Sequence, residues 1–266
     1  MASVESSSAK FRQNPFQRNW LVTGAWLVLA GYLVFSFNAM GLSWERFVHG
    51  LGIADELMAR MFPPNFSRWE LLLSGLAESM EIAIIASVVG IFLSLFFGLF
   101  AARNLMPNWV TVPTRGFIAL CRTFHPVIIA ILFVKSVGFG ALAGILTLIV
   151  ASIGFIAKLF AEAIEEISLK QVEAIRATGA GFMSLILFSV MPQVFSRFIG
   201  FATYQLDSNL RNSTMVGIVG AGGLGGTLFS AFQRFDYDFV AAILISIIAL
   251  IMLGEVLSNV VRKIFN

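Results

Sequence analysis

Long stretches of this chain carry no charge, and their lengths set the first expectations. Trp20 to Phe37 runs 18 residues without a charged side chain, and Ile82 to Ala102 runs 21. As helices, both are long enough to cross a hydrocarbon layer roughly 30 Å thick. Phe239 to Leu253 adds 15 more before Glu255. From Thr123 to Ala157, 35 residues hold only Lys135, too many for one crossing, and Gly138-Phe139-Gly140 offers a turn. Two short spans joined by a hairpin are expected there. Another span is expected over about Phe182 to Leu206, and a last one over about Phe239 to Val261. The pattern predicts an all-α, polytopic membrane protein with about six transmembrane helices.

The charges between the runs orient them. Lys10, Arg12 and Arg18 precede the first span, Arg103, Arg115 and Arg122 follow the second, and Lys158, Lys170 and Arg176 follow the fourth. Arg262 and Lys263 end the last. Basic loops stay on the cytoplasmic side, so both termini are expected inside, with residues 1–19 a cytoplasmic segment and 20–266 the transmembrane domain. No small-residue cleavage site follows the first apolar run, so it reads as a retained span. The loop from Asn38 to Leu71 is slightly acidic and is expected outside; its "MFPPNFS" (61–67) ends any helix, because Pro63 and Pro64 lack amide donors.

Asn212 to Gln233 is also free of charge for 22 residues. A seventh crossing there would put Arg262 and Lys263 outside. Six glycines within 217–226 also make a continuous helix costly. The segment 212–233 is therefore expected to be an outer-side, re-entrant, glycine-rich loop, tolerated where protein or water surrounds it.

Composition agrees with lipid as the main solvent. The chain is 58% hydrophobic and 12% charged, with a mean hydropathy of +0.87, against about 25% charged in soluble domains. One cysteine, Cys121, excludes an internal disulfide, and two distant histidines, His49 and His125, offer no metal cluster. No nucleic-acid partner, metal or cofactor of its own is expected.

Gly220, Gly222 and Gly225 match the G-x-G-x-x-G spacing of dinucleotide-binding turns. That fingerprint needs a preceding strand and an acid about 20 residues on. Asp236 and Asp238 come too soon and Glu255 too late. Close packing is the better reading of these glycines. The chain also lacks G-x-x-x-x-G-K-[ST], so any ATP hydrolysis belongs to a partner.

Just before the glycines, Asp207, Asn209, Arg211, Asn212, Ser213 and Thr214 form a polar cluster, expected at the outer end of the fifth span. Arg211, Asn212, Ser213 and Thr214, with Gly222 and Gly223 beside them, are the candidate translocation pathway, since a guanidinium with hydroxyl and amide donors suits an anion. The alternative is that Arg211 pairs with Asp207 one turn away and anchors the helix end. Arg197 is expected to face the bundle. Glu78 and Glu81 read as stabilising acids near a helix N-terminus.

"EAIRATGAGFMSLILFSVMP" (173–192) lies between the fourth and fifth spans. Ile167 to Ala177 reads as a short surface helix, and Gly179 permits a positive φ that turns the chain into the next span. Glu173-Ala174, Gly179 six residues after the Glu, and Pro192 thirteen further on resemble the EAA loop of ABC-importer permeases. Ile175, Ser189 and Met191 depart from that pattern. Together with "MFPPNFS", "LFVKSVGFGALAG" and "NSTMVGIVGAGGLGGTLFSAFQRFDYDF", the chain resembles the permease of phosphonate-type importers, a group that includes phosphite and hypophosphite systems; His125-Pro126 is a departure.

The resemblance implies a type I ABC importer permease fold in a bacterial inner membrane. The segment 163–181 would then dock on a cytoplasmic ATPase dimer that binds ATP and Mg, with Glu173, Ala174, Arg176 and Gly179 carrying the coupling. It also implies a second permease chain, the same or related, and a periplasmic binding protein that delivers the anion. The chain itself would be no enzyme. A permease for another small solute, a stand-alone secondary transporter and a membrane-embedded enzyme are the other readings, and the last lacks any clustered nucleophile, base or metal ligands.

Overall fold

The computed structural model describes residues 20–41 and 43–265, and all regular structure among them is helical. The segment 1–19 lies outside the described residues. Residues up to Ala59 and from Arg60 onward form two separate units. The first holds α1, Trp20–Ala39, and most of α2, Trp44–Met61. α1 is apolar on every side and none of its residues is buried, as suits a helix surrounded by lipid. α2 was not expected; the acidic loop is helical until Met61, just before Pro63 and Pro64.

The second unit is organised on α3, Trp69–Ala101. Gly75, Ser79, Ala83, Ala86, Gly90, Ser94, Gly98 and Ala101 recur at every turn and are all buried. This stripe of small residues lets backbones approach closely, as membrane helices need. A Cβ on Gly90 would lie 2.6 Å from Cβ of Ser152, and one on Gly98 would lie 2.8 Å from the Phe160 ring. Against the stripe pack two rods: α6 (Ala141–Ser152) with a π-helical turn (Ile153–Ala157) and α7 (Lys158–Glu165), and α10, Met191–Gly217.

Between α3 and α6 come α4, Asn108–Thr123, and α5, Pro126–Val137, bent 92° to each other. The expected basic connection is thus a helix in its own right. α5 alone spans only about 18 Å. Among the described residues, five helical segments are long and apolar enough to cross a membrane, or six when the bent pair counts as one. His125 caps α5, its ring nitrogen accepting from the Val127 amide at 3.3 Å.

After α7 come α8, Leu169–Ala177, and α9, Phe182–Leu185, which runs through a second π-helical turn (Ile186–Val190) into α10. α11 is Leu224–Gln233 and α12 is Tyr237–Phe265. The expected re-entrant loop over 212–233 is therefore shorter than its charge-free run. Helix α10 continues through Gly217 and α11 starts at Leu224, leaving 218–223 irregular. Polar residues do not end α10, because they bond within it: Ser213 Oγ donates to the Leu210 carbonyl and Asn212 Nδ2 to Ser208 Oγ. Glu78 and Glu81 are likewise nine and twelve residues inside α3, too deep for a stabilising role at its N-terminus.

At the Trp69 end of this unit, the segment before α3 clasps the α11–α12 turn. Arg68 pairs with Asp236 and lies 3.8 Å over the Phe239 ring. Asn65 donates to Asp238 through its backbone and side-chain amides, both at 3.0 Å. Because the Arg68–Asp236 pair is partly exposed, we expect Arg68→Ala to cost only about 1 kcal/mol. A thermal scan of the purified chain should show a drop of roughly 2–4 °C.

Candidate functional site

Three features of the second unit carry chemistry: a glycine turn, a polar face on α10, and a knob at the Ala101 end. In the turn, Gly220, Gly222 and Gly223 all have positive φ, at 91°, 81° and 76°. The turn is wedged against the N-terminal part of α3 and the α5–α6 hairpin. The Leu224 amide donates to Ser79 Oγ at 2.9 Å, and the Gly140 amide to the Gly220 carbonyl at 3.0 Å. A Cβ on Gly222 would lie 2.7 Å from Glu78 Oε1 and 2.8 Å from the Ala141 amide nitrogen. Backbone contact, with no free cradle for a phosphate, is what these glycines provide.

On α10, the exposed or half-buried residues Arg197, Gly200, Tyr204, Ser208, Arg211 and Met215 follow one another at helical spacing on one face. This face is polar in a helix otherwise apolar enough to span, and a charged face does not turn to lipid. Arg211 pairs with Asp207, as the i,i+4 spacing predicted. The two are unequally placed: the Arg211 side chain is 56% exposed and Asp207 only 14%. The guanidinium therefore projects outward with its carboxylate behind it. They lie about 9 and 15 Å from the Gly217 end of the helix, in its last three turns. Arg197 faces outward rather than into the bundle, paired with Glu166 at 2.5 Å. Phe155, Leu159, Ser196, Gly200, Phe201 and Tyr204 line an open groove beside it.

The expected cluster divides across the helix. Arg211 and Asn212 belong to the accessible side, whereas Ser213 and Thr214 are buried within the unit. Behind the polar face lies a network not expected from the sequence. Gln205 Nε2 donates to Ser152 Oγ and to Asn209 Oδ1, both at 2.9 Å. Asn209 Nδ2 donates to Ser87 Oγ at 2.9 Å and to Ser152 Oγ at 3.2 Å. All four residues are at most 3% exposed. They tie α10 to the middle of α3 and to Ser152 at the end of α6, and fix which face of α10 looks outward. Polar side chains at 205 and 209, one turn apart inside an apolar span, were the available signal.

The knob is α8 and its flanks. Val172 is buried with Phe160, Ile164, Leu185 and Val190, while Glu173, Ala174 and Arg176 are exposed. Gly179 has φ 78° and stands in open space. Two sets of bonds tie the knob to different helices. Glu165 accepts from Arg115 of α4 at 2.6 Å and from the Arg103 amide after α3 at 2.8 Å. On the other side, Gln193 of α10 accepts from the Ser168 amide at 2.9 Å, beside the Arg197–Glu166 pair. Separate links therefore join the flanks of α8 to α3–α4 and to α10.

Residues 94–266, which contain the knob, the polar face and the glycine turn, match the family described as binding-protein-dependent transport system inner membrane component. The chain belongs to this family. It is 36% identical to the phosphite transport system permease protein PtxC of Stutzerimonas stutzeri, over 93% of this chain and 90% of that one. It is 35% identical to the phosphate-import permease protein PhnE of Mycolicibacterium smegmatis, over 95% of this chain but only 48% of that protein, about half its length. Its fold is similar to that of the inward-facing MetNI methionine ABC transporter, with a TM-score of 0.67 at 22% identity, covering 76% of this chain and 99% of that one. It is a multi-pass inner membrane component of this transport family with a fold like that of the MetNI transporter, and its relatives are named as transport permeases.

Proposed function

We propose that this permease carries a phosphorus oxyanion (phosphonate, phosphite or hypophosphite) inward across a bacterial inner membrane, driven by a partner ATPase. The carrying observation is the polar face of α10 with Arg211 projecting from it. Such a face has to meet another polar surface, and the same face of a second permease chain supplies one. The pathway then runs between the two chains, with Arg211 and Asn212 inside it and Ser213, Thr214, Gly222 and Gly223 holding the wall in shape. The Ala101 end is cytoplasmic, consistent with its arginines and lysines, and both termini are inside. There Glu173, Ala174, Arg176 and Gly179 meet the ATPase dimer, which binds ATP and Mg; this chain binds neither. A periplasmic binding protein delivers the anion at the other end. The relatives' named cargoes, phosphite and phosphate, support the choice of anion.

The test is reconstitution of the chain with its ATPase and binding protein in proteoliposomes. ATP-dependent phosphite or phosphonate uptake is expected, and uptake by the chain alone would overturn the reading. Within the assembled system, Arg211→Ala should slow uptake about ten- to hundredfold, the loss of one charge-assisted contact of about 1.5–3 kcal/mol. Unchanged uptake at equal protein levels would remove Arg211 from the pathway.

A further inference from the structure

At the Ala101 end, on the side of the knob but not part of it, α3, α4 and α7 enclose a cleft of about 250 Å³. Arg115, Arg122, Lys158 and Glu162 reach into it, and Ala101, Ile118, Ala119 and Ala161 form its walls. Three cations thus face two carboxylates, Glu162 and Glu165. The pairing is uneven. Arg115 is engaged, bonding Glu165 at 2.6 Å and the Ala101 carbonyl at 2.8 Å. Lys158 meets Glu162 only loosely, at 3.5 Å, with both side chains about half exposed. Arg122 is exposed and makes no ion pair among the described residues. The cleft therefore offers one uncommitted guanidinium, one loosely held ammonium and an apolar floor.

The helix that supplies Arg115 and Arg122 also says where the cleft opens. α4 turns 92° from α5 instead of continuing along it. It exposes Trp109, Val112, Phe117 and Leu120 together with Arg122, and leaves Arg115 half-buried. An amphipathic helix with tryptophan and arginine on its surface lies in the plane of the headgroups. Basic pockets between helices at that depth attract anionic lipid headgroups.

We propose that this cleft binds a phosphate monoanion or diester, with Arg122 and Lys158 as the ligands and an anionic phospholipid headgroup as the expected source. Arg115 shapes the site from its fixed pair with Glu165. The same Glu165 leads into the knob, so an occupant sits beside the link between α4 and α8. Only the assignment of the cleft to the inner leaflet rests on the proposed function.

The test uses the full chain purified in neutral detergent, with no ATPase and no transported anion. Native mass spectrometry measures retention of phosphatidylglycerol against phosphatidylcholine, and a thermal scan with inorganic phosphate alone probes the soluble source. The wild type is expected to prefer phosphatidylglycerol, with the preference about tenfold weaker in the double variant Arg122→Gln, Lys158→Gln. Ala119→Phe, which fills the cleft and keeps the charges, should have the same effect. Arg234→Gln, at the far end of the unit, should have none. Stabilisation by phosphate that is lost in the same variants, without a lipid preference, assigns the site to a soluble anion. If the wild type shows neither response, or the variants respond as the wild type does, the proposal is overturned. A protein that keeps the lipid preference but fails to import phosphite with its ATPase refutes the transport reading and leaves this site standing.

Discussion

Alanine in place of Gly225 is expected to leave almost no folded permease in the membrane. Its Cβ would overlap the Thr214 carbonyl oxygen and lie 2.9 Å from the Ile218 nitrogen and 3.0 Å from the Gly217 carbonyl carbon. All three belong to the backbone at the end of α10, so no side chain can swing away to make room. Gly217 faces the same contact from the other side, with the Gly225 Cα 3.0 Å from its own would-be Cβ. Relief requires moving α11 off α10, which would also pull the Leu224 amide from Ser79 and the Gly220 carbonyl from Gly140. Overpacking typically costs about 1–3 kcal/mol where side chains can yield. Here only backbone is available, so the upper end or beyond is expected. Gly226 is the control: its Cβ meets nothing nearer than the Gly217 oxygen at 3.5 Å. Gly226→Ala should accumulate like the wild type or better, since alanine favours a helix by up to about 1 kcal/mol over glycine. Detergent-solubilised yield and size-exclusion profile of the two variants compare them directly. Equal yields would mean that the turn is looser than its contacts imply.

That contrast marks what could be read from the chain alone. The glycines could be assigned to packing because competing uses failed on local grounds, such as the positions of Asp236, Asp238 and Glu255. Which glycines are indispensable could not, because that depends on Thr214 and Ala141 arriving from elsewhere. The knob was legible for a related reason: Glu173, Ala174 and Gly179 lie within seven residues, and one short helix with one positive φ realises them. The length of α10 was not. A fifth span ending near Leu206 leaves Asp207 to Thr214 beyond the helix, since polar residues usually mark where lipid stops, yet α10 runs on to Gly217. They continue the helix because their partners are one turn away, as for Asp207–Arg211, or on helices 53 to 122 residues distant, as for Gln205–Ser152 and Asn209–Ser87. No periodicity announces such partners. Arg197 reads as facing inward from sequence alone because its partner, Glu166, lies 31 residues away on the other side of the knob.

The second large effect concerns that knob. Glu173→Arg and Gly179→Val should each abolish ATP-driven uptake without lowering the amount of permease in the membrane. The fold has little stake in either position. Glu173 is exposed and makes no ion pair among the described residues, and a side chain at Gly179 would meet nothing within 4 Å. What changes is the geometry presented to a partner. At φ 78°, valine is a strained residue, and holding it there costs about 1–3 kcal/mol. The turn after Ala177 relaxes instead, and α8 swings on Val172, its one buried anchor. That penalty on the docking pose corresponds to roughly five- to hundredfold weaker engagement of the ATPase. Glu173→Arg reaches the same end through charge, leaving the backbone untouched. Measurement separates the two: co-purification of the ATPase should fall for both variants, while the thermal midpoint of the permease stays within a few degrees of the wild type. Restoring a small side chain, Gly179→Ala, should recover part of the uptake lost to valine, because alanine tolerates a positive φ better than a β-branched residue does. If both variants import at the wild-type rate with their ATPase bound, α8 is not where the two proteins meet, and the force on α10 has to enter by another route.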